Sequence, residues 1–356
     1  MQDAVLRDRL PQKILAGERV TAAEALDLVA ATDLLQLGLL ADVVRRRLHP
    51  EPMVTYIIDR NINYTDICIS ACKFCAFFKA PEDPAGRLLS RAELGRKIEE
   101  TKELGGNQIL LQGGLHPDQS LEFYEEMLRF IKGYGIHVHG FSPPEIHHFA
   151  TLAGISTREV LARLQIAGLD SMPGGGAEIL SNRVRREIAP RKCNADEWIA
   201  VMGEAHELGM RTTATMMFGH IETMPERMEH LQRIRDLQDR TGGFTAFIPW
   251  PFQPDHTALA GINKTTAFEY LKMLALSRIF LDNVANIQAS WVTQGPKIAQ
   301  VSLSFGANDF GSTMIEENVV AAAGVSFRLS EEEIRRLVEG AGFTARRRRM
   351  DYTLCE

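Results

Sequence analysis

Apolar residues recur along this chain with two different periods, and the change from one to the other falls near residue 50. Before that point apolar side chains return every three or four positions, as in "AAEALDLVAA" and "LLQLGLLADVVRRRL", which is the period of an amphipathic helix. Thr21 and Thr32 precede these two stretches and are suitable N-cap residues. We therefore expect residues 1–50 to form a helical N-terminal extension.

From "VTYIIDRNINYT" onwards, short β-rich runs alternate with helical segments. After this first strand, the pattern predicts strands at 107–112, 136–141, 169–172, 211–217, 244–249, 286–291 and 305–309. The predicted helices cover 90–104, 119–132, 156–167, 195–208, 225–240, 265–282, 294–304 and 313–322. Such alternation is typical of a parallel sheet with helices packed against it.

The number of these units indicates how the sheet closes. Roughly seven or eight β/α units fall within residues 51–325 without a linker rich in Pro, Gly or Ser, which favours a (β/α)8 TIM-type barrel. A doubly wound sheet is the alternative. The last helical pattern carries Ser330 and Glu333 as a capping box. We expect residues 326–356 to form a C-terminal helix and tail packed on the barrel.

Polar and glycine-rich motifs follow the predicted strands. They read "QGGLHP", "SPPE", "PGGGAE", "FGHIET", "PWPFQP", "SWVTQG" and "GANDFG", and the cysteine-rich "CISACKFCAFF" follows the first strand. Active sites of such barrels lie at the carboxyl ends of the strands, so these motifs are expected to surround one site.

Charge and hydropathy exclude several classes of protein. The chain has 40 Lys and Arg against 46 Asp and Glu, so it lacks the overall basic character of a nucleic-acid-binding protein. We expect the basic run 346–349 to be a solvated tail. No apolar stretch reaches the ~18 residues of a membrane span. The N-terminus lacks the order of a secretory signal, so we expect a cytoplasmic protein.

Three of the five cysteines, Cys68, Cys72 and Cys75, lie within eight residues at the spacing C-x3-C-x2-C. A disulfide framework does not suit this count or a reducing compartment. Structural zinc needs four ligands, and the next Cys or His after this loop is His116. A nucleophilic thiol would not explain three together. Cys193 and Cys355 stand alone and are expected to be structural or exposed thiols.

Three thiolates at the end of a strand can hold three irons of a [4Fe–4S] cluster and leave the fourth iron open. Iron–sulfur proteins that only carry electrons generally use four cysteines. The missing ligand therefore favours chemistry at the cluster, with a non-catalytic iron–sulfur protein as the alternative from a different class.

The spacing C-x3-C-x-aromatic-C, here Cys68, Cys72, Phe74 and Cys75, resembles the signature of the radical SAM superfamily. The resemblance implies a [4Fe–4S] cluster whose open iron binds S-adenosylmethionine. It also implies that the turn Gln112, Gly113 and Gly114 binds the methionine part of that cofactor.

Longer stretches resemble the menaquinone (futalosine pathway) and deazaflavin branch of the superfamily. "LQGGLHPD", "FSPPEI", "PGGGAEIL" and "ATMMFGHIET" match that branch, and the similarity covers roughly residues 50–345. "FIPWPFQP", "SWVTQGPKIAQ" and "FGANDFGSTMIEENVV" are most similar to the enzymes that cyclise dehypoxanthine futalosine. Asp66 and Phe78 depart from the Asn and Tyr common in the family. Aminofutalosine synthases and components of the deazaflavin-precursor (FO) synthase are the alternatives.

The resemblance implies a reaction in which a 5′-deoxyadenosyl radical removes the C4′ hydrogen of the substrate ribose, and the new radical adds to the benzoate ring. A reducing partner such as flavodoxin or ferredoxin would supply the electron. The expected cofactor-binding residues are Phe74, Gln112, Gly113, Gly114, Ser142, Glu145 and Glu178.

The proton lost as the ring regains aromaticity needs an acceptor, and a carboxylate can serve. Glu222 and Asp309 are the predicted catalytic residues for this step, and His220 beside Glu222 is a further polar candidate. The N-terminal helices either cap the bottom of the barrel or form a homodimer contact.

Overall fold

The computed structural model describes residues 2–355, and it contains the predicted alternation of strands and helices. The strands are β1 Met53–Ile57, β2 Asp59–Asn63, β3 Gln108–Gln112, β4 His137–Gly140, β5 Ser171–Met172, β6 Arg211–Phe218, β7 Phe244–Pro251, β8 Asn286–Ile287, β9 Asp309–Ser312 and β10 Thr344–Arg347. The helices are α1 Gln2–Leu15, α2 Ala22–Ala31, α3 Leu34–Leu48, α4 Arg91–Glu103, α5 Leu121–Lys132, α6 Pro143–Ala153, α7 Thr157–Ala167, α8 Asn182–Ile188, α9 Ala195–Glu207, α10 Met224–Thr241, α11 Ala267–Phe280, α12 Trp291–Ser302, α13 Val319–Ala322 and α14 Glu331–Gly340.

Backbone hydrogen bonds close the strands into a ring. Seven parallel strands pair in the order β2-β3-β4-β5-β6-β7-β8, and β9 pairs with β1. A parallel bridge between Gln288 and Asp309 joins β8 to β9. Past β9, the amide of Ile315 donates to the carbonyl of Asp59 at 3.1 Å, which continues the pairing along β2. The prediction of a TIM-type α/β barrel is therefore confirmed.

The N-terminal extension is helical, as predicted, and α3 packs against α11 on the outside of the barrel. Thr21 caps α2 and forms a capping box with Glu24. The second predicted cap was wrong, because Asp33 accepts from the amide of Gln36 at 2.9 Å, whereas Thr32 ends α2. No helix among the described residues is long and apolar enough to cross a membrane.

The sequence pattern did not predict two of the helices, α6 and α8. Pro143 and Pro144 occupy the first positions of α6. Proline suits those positions because its φ is already helical and its missing N–H has no partner there in any case. The helix α8 has only seven residues, which is too short to show a clear period.

The C-terminal third differs most from the prediction. Residues 303–305 form a 3₁₀ turn instead of a strand, β9 begins at Asp309, and the predicted helix 313–322 is reduced to α13. Residues 326–356 contain α14 and also β10, which pairs in parallel with β1. The basic run is not a solvated tail throughout, because Arg348 is only 5% exposed and binds Asp309.

Candidate active site

The three clustered cysteines lie in the loop after β2, at the carboxyl end of the barrel strands. Cys68 Sγ accepts hydrogen bonds from the backbone amides of Ser70 at 3.4 Å and Leu115 at 3.3 Å. The hydroxyl of Ser70 lies 3.1 Å from Cys72 Sγ. Cys72 is buried, whereas Cys68 and Cys75 are partly exposed. The loop thus surrounds its sulfur atoms with hydrogen-bond donors.

This set of donors fits an iron–sulfur cluster. Cluster ligands are thiolates, and hydrogen bonds to the sulfurs tune their electronic properties. Within residues 2–355 no three His, Cys, Asp or Glu side chains converge as a single metal ion would require. Each cysteine of a [4Fe–4S] cube binds a different iron, so thiols arranged around a loop suit it.

The two glycines after β3 pack directly against the cysteine loop. The amide of Gly114 donates to the carbonyl of Thr65 at 3.0 Å. A Cβ atom on Gly114 would lie 2.2 Å from the carbonyl oxygen of Ile67, and one on Gly113 would lie 2.4 Å from the ring of Tyr64. Only glycine allows these two backbones to approach so closely. The turn and the cysteine loop therefore form one unit.

The Glu145 carboxylate stabilises this glycine turn through hydrogen bonds. It accepts hydrogen bonds from the Tyr64 hydroxyl at 2.7 Å, the Ser142 hydroxyl at 2.5 Å and the Gly113 amide at 3.1 Å. Burial raises the pKa of Glu145 to about 7, and the three donors oppose that rise. Glu145 and Ser142 thus hold the backbone of the turn in place.

Glu178 links the cysteine loop to the barrel interior. Its carboxylate pairs with Lys192 at 2.9 Å and with Arg185 at 3.1 Å, and all three side chains are largely buried. Lys192 also lies over the ring of Phe74, 5.0 Å from its centre. Glu178 has φ +40°, a left-handed conformation that a non-glycine residue rarely adopts. Such strain clusters at functional sites.

Lys192 and Arg185 were missed by the sequence analysis, because they lie outside the motifs that follow the strands. Burial acts to raise the pKa of Glu178, but the charges of these two side chains lower it. Burial acts to lower the pKa of Lys192, and the charges of Cys72 and Glu178 raise it instead. The Lys192 ammonium, paired with Glu178, therefore lies beside the cysteine loop.

A cavity of about 290 Å³ fills the barrel interior below this loop. Inward-facing positions of the strands line it, together with the segment after β9. Most of its wall is apolar, and its polar groups include Asp59, Asn61, Gln108, Gln112, Glu178 and Glu317. A cavity of this kind, mainly apolar with a few convergent polar groups, is suited to a small molecule.

The two carboxylates predicted to be catalytic do not line this cavity. Glu222 accepts hydrogen bonds from the amides of Gly219 and His220 and from Arg227. Burial acts to raise the pKa of Glu222, but His220 and Arg227 lower it to about 2. Asp309 is fully buried in a two-bond pair with Arg348. Their role as proton acceptors stays a prediction.

The other predicted site residues fall into two groups. Gln112 and Glu178 line the cavity. The remainder lie at the cysteine loop or behind the glycine turn, namely Phe74, Gly113, Gly114, Ser142 and Glu145.

Comparison with protein families divides the chain into two matched regions. Residues 62–234 match the radical SAM superfamily, and residues 241–356 match the CofH/MqnC C-terminal region. Together the matches include the cysteine loop, the glycine turn and the strand β10.

Similar proteins extend over nearly the whole chain. A protein of Streptomyces coelicolor named cyclic dehypoxanthine futalosine synthase is 48% identical, over 95% of this chain and 86% of its own length. A protein of Halalkalibacterium halodurans with the same name is 44% identical, over 98% of this chain and 94% of its own length. A protein of Methanopyrus kandleri named 5-amino-6-(D-ribitylamino)uracil–L-tyrosine 4-hydroxyphenyl transferase is 41% identical, over 94% of this chain and 95% of its own length.

Among solved structures, methylornithine synthase (PylB) superposes with a TM-score of 0.75 over 94% of this chain and 97% of its own. Only 18% of the residues are identical, so the likeness concerns the fold.

Proposed function

The chain belongs to the radical SAM superfamily, and on that premise we propose that it cyclises dehypoxanthine futalosine in menaquinone biosynthesis. The observation that carries the proposal is the pair of full-length relatives named for that activity. The reaction removes a hydrogen atom from ribose C4′, forms a bond from C4′ to the benzoate ring, and releases one proton and one electron.

The residues of the cysteine loop suit the required cofactors. Cys68, Cys72 and Cys75 would hold a [4Fe–4S] cluster, and the turn Gln112–Gly114 would contact S-adenosylmethionine. When bound, these groups supply a 5′-deoxyadenosyl radical by one-electron cleavage of a carbon–sulfur bond. The electron is proposed to come from an external carrier such as flavodoxin or ferredoxin.

The protein's own contribution is to position the substrate and protect the radical. Glu178 and Gln112 place a carboxylate and an amide at the upper end of the cavity, where they can bind the polar groups of the cofactor. The apolar wall, including Trp250 and Ile248, keeps water and stray hydrogen donors away from a radical. Lys192 holds a positive charge between this region and the cysteine loop.

The experiment that tests the proposal is an anaerobic assay of the reconstituted enzyme with S-adenosylmethionine and a reductant. Dehypoxanthine futalosine is expected to give 5′-deoxyadenosine and a cyclic product that co-elutes with a standard. Formation of 5′-deoxyadenosine with the substrate left intact would refute the assignment of substrate.

A second candidate activity rests on the relative from Methanopyrus kandleri. Under the same conditions, 5-amino-6-(D-ribitylamino)uracil and tyrosine are expected to remain unchanged. Their conversion to a coupled product would favour this second activity over the cyclisation.

A further inference from the structure

Three polar side chains, Asp59, Asn61 and Gln108, form one side of the cavity, here called the polar wall. Asp59 and Asn61 are alternate residues of β2, so they face the same side of the sheet. Gln108 is the residue of β3 that pairs with Asp59. All three line the cavity, and their exposed fractions are only 4%, 6% and 5%.

Two atoms of the polar wall have no hydrogen-bond partner within the described part of the chain. They are the side-chain oxygens of Asn61 and Gln108, and both are buried. Leaving a buried acceptor unpaired is costly, so a partner is normally found nearby. Because both side chains line the cavity, a ligand with hydroxyl or N–H groups can supply the missing donors.

Asp59 differs from the other carboxylates considered for catalysis. Its direct partners are neutral, namely the hydroxyl of Ser312 and the amide of Gln108 at 2.8 Å. The charged groups that act on it, Arg348 and Asp309, are paired with each other. Burial raises the pKa of Asp59 above its ordinary value. A carboxylate without a cation of its own is the stronger base.

Resting on the proposed cyclisation, we propose that Asp59 accepts the proton released when the benzoate ring regains aromaticity, and that Asn61 and Gln108 bind hydroxyl groups of the substrate. The bond from ribose C4′ to the ring carbon has by then formed. The C–H bond at that ring carbon breaks and its proton goes to the Asp59 carboxylate. The bonding pair stays in the ring and restores aromaticity, and the one electron in excess of the closed-shell ring passes to a one-electron acceptor of the iron–sulfur class.

Binding is tested first, on reconstituted enzyme without S-adenosylmethionine or reductant, by calorimetric titration with dehypoxanthine futalosine. Asn61→Leu and Gln108→Leu are expected to weaken binding about tenfold each, the equivalent of one lost hydrogen bond. Wild-type affinity in both leucine variants would overturn the role of the polar wall.

Proton transfer is tested by single turnover in the complete system. Asp59→Asn is expected to form 5′-deoxyadenosine as the wild type does but to make the cyclic product about a hundredfold more slowly, the typical contribution of a general base. Asp59→Glu retains a carboxylate and is expected to recover part of that rate. An unchanged product rate in Asp59→Asn, with the rate lost instead in Asp309→Asn or Glu222→Gln, would overturn the proposal.

A further variant leaves the carboxylate in place. Ser312→Ala removes a donor to Asp59, so the acid limb of the pH–rate profile is expected to move to higher pH. An unmoved profile in Ser312→Ala would count against Asp59 even if Asp59→Asn failed to fold. If the wild type gave no cyclic product, the proposed function itself would fall, which is a different outcome from product formed without Asp59.

Discussion

Arg348 binds both carboxylate oxygens of Asp309, at 2.5 and 3.0 Å, and thereby fastens the chain just after β10 to the floor of the barrel. Both side chains are buried, and Thr55 donates a further hydrogen bond to Asp309 at 2.5 Å. Burial acts to lower the pKa of Arg348, but the negative charge of Asp309 raises it. The C-terminal segment is therefore an integral part of the barrel.

Loss of this pair is expected to destabilise the fold strongly. Arg348→Met leaves Asp309 buried without its cation, which should lower the free energy of unfolding by about 3–5 kcal/mol. Denaturant unfolding followed by circular dichroism measures the change. The double variant Arg348→Met with Asp309→Asn should recover part of it. Arg346→Met, at an exposed position of the same run, should change stability little, and an equal loss there would contradict this account.

Each cysteine of the loop is expected to be necessary for binding the iron–sulfur cluster. Cys68→Ala, Cys72→Ala and Cys75→Ala should retain no cluster after anaerobic reconstitution, because each removes the only protein ligand of one iron. Iron and sulfide content and visible absorption provide the measurement. Cys355→Ala, outside the loop, should load iron as the wild type does; a defect there would point to a different ligand set.

Because Gly114 packs closely against the cysteine loop, adding a single methyl group there is expected to lower both stability and iron binding. Gly114→Ala would place a Cβ 2.2 Å from the carbonyl oxygen of Ile67, and the resulting strain should cost about 1–3 kcal/mol. Because that carbonyl belongs to the cysteine loop, reconstituted iron should fall together with stability. The matched control is Gly261→Ala, where a Cβ meets nothing within 4 Å. Equal iron content in both variants would show that the contact at Gly114 does not affect iron binding by the cysteine loop.

The buried His230 predicts a pH dependence of stability. Its Nδ1 accepts the amide of Leu180 at 3.0 Å, and burial lowers its pKa from 6.5 to about 3. Between pH 6.5 and about 3 the unfolded chain therefore binds a proton at His230 that the folded chain does not. The contribution of neutral His230 to the free energy of unfolding is complete above pH 6.5 and is lost as pH falls. The loss is about 1.4 kcal/mol per pH unit between these pKa values.

The test compares pH profiles, because other groups titrate in the same range. His230→Gln is expected to be less stable than the wild type near neutral pH, with a difference that shrinks as pH falls toward 4. Denaturant midpoints at several pH values give the two profiles. His147→Gln, at a partly exposed position, serves as the control substitution. Parallel profiles for the wild type and His230→Gln would show that folding does not shift the pKa of His230.

Much of the site could be predicted from sequence because its signals are local. The three cysteines occupy eight residues, and the glycine turn directly follows a strand. Lys192 and Arg185 gave no such signal, because they meet Glu178 only after α8 folds back across the carboxyl end of the barrel. Glu222 does follow a strand, as predicted. Its carboxylate, however, pairs with Arg227 and does not line the cavity.

The sequence by itself determined the elements whose causes lie within a few residues. Helical period, strand alternation and the capping boxes at Thr21 and Ser330 are of this kind, and so is the cysteine spacing. Only the tertiary structure decided which polar side chains meet inside the barrel. Asp59 and Ser312 are 253 residues apart, and Arg348 reaches Asp309 from the position just after β10, a strand that no pattern indicated. Strand register and ring closure bring such pairs together, and neither is encoded in any short stretch of the chain.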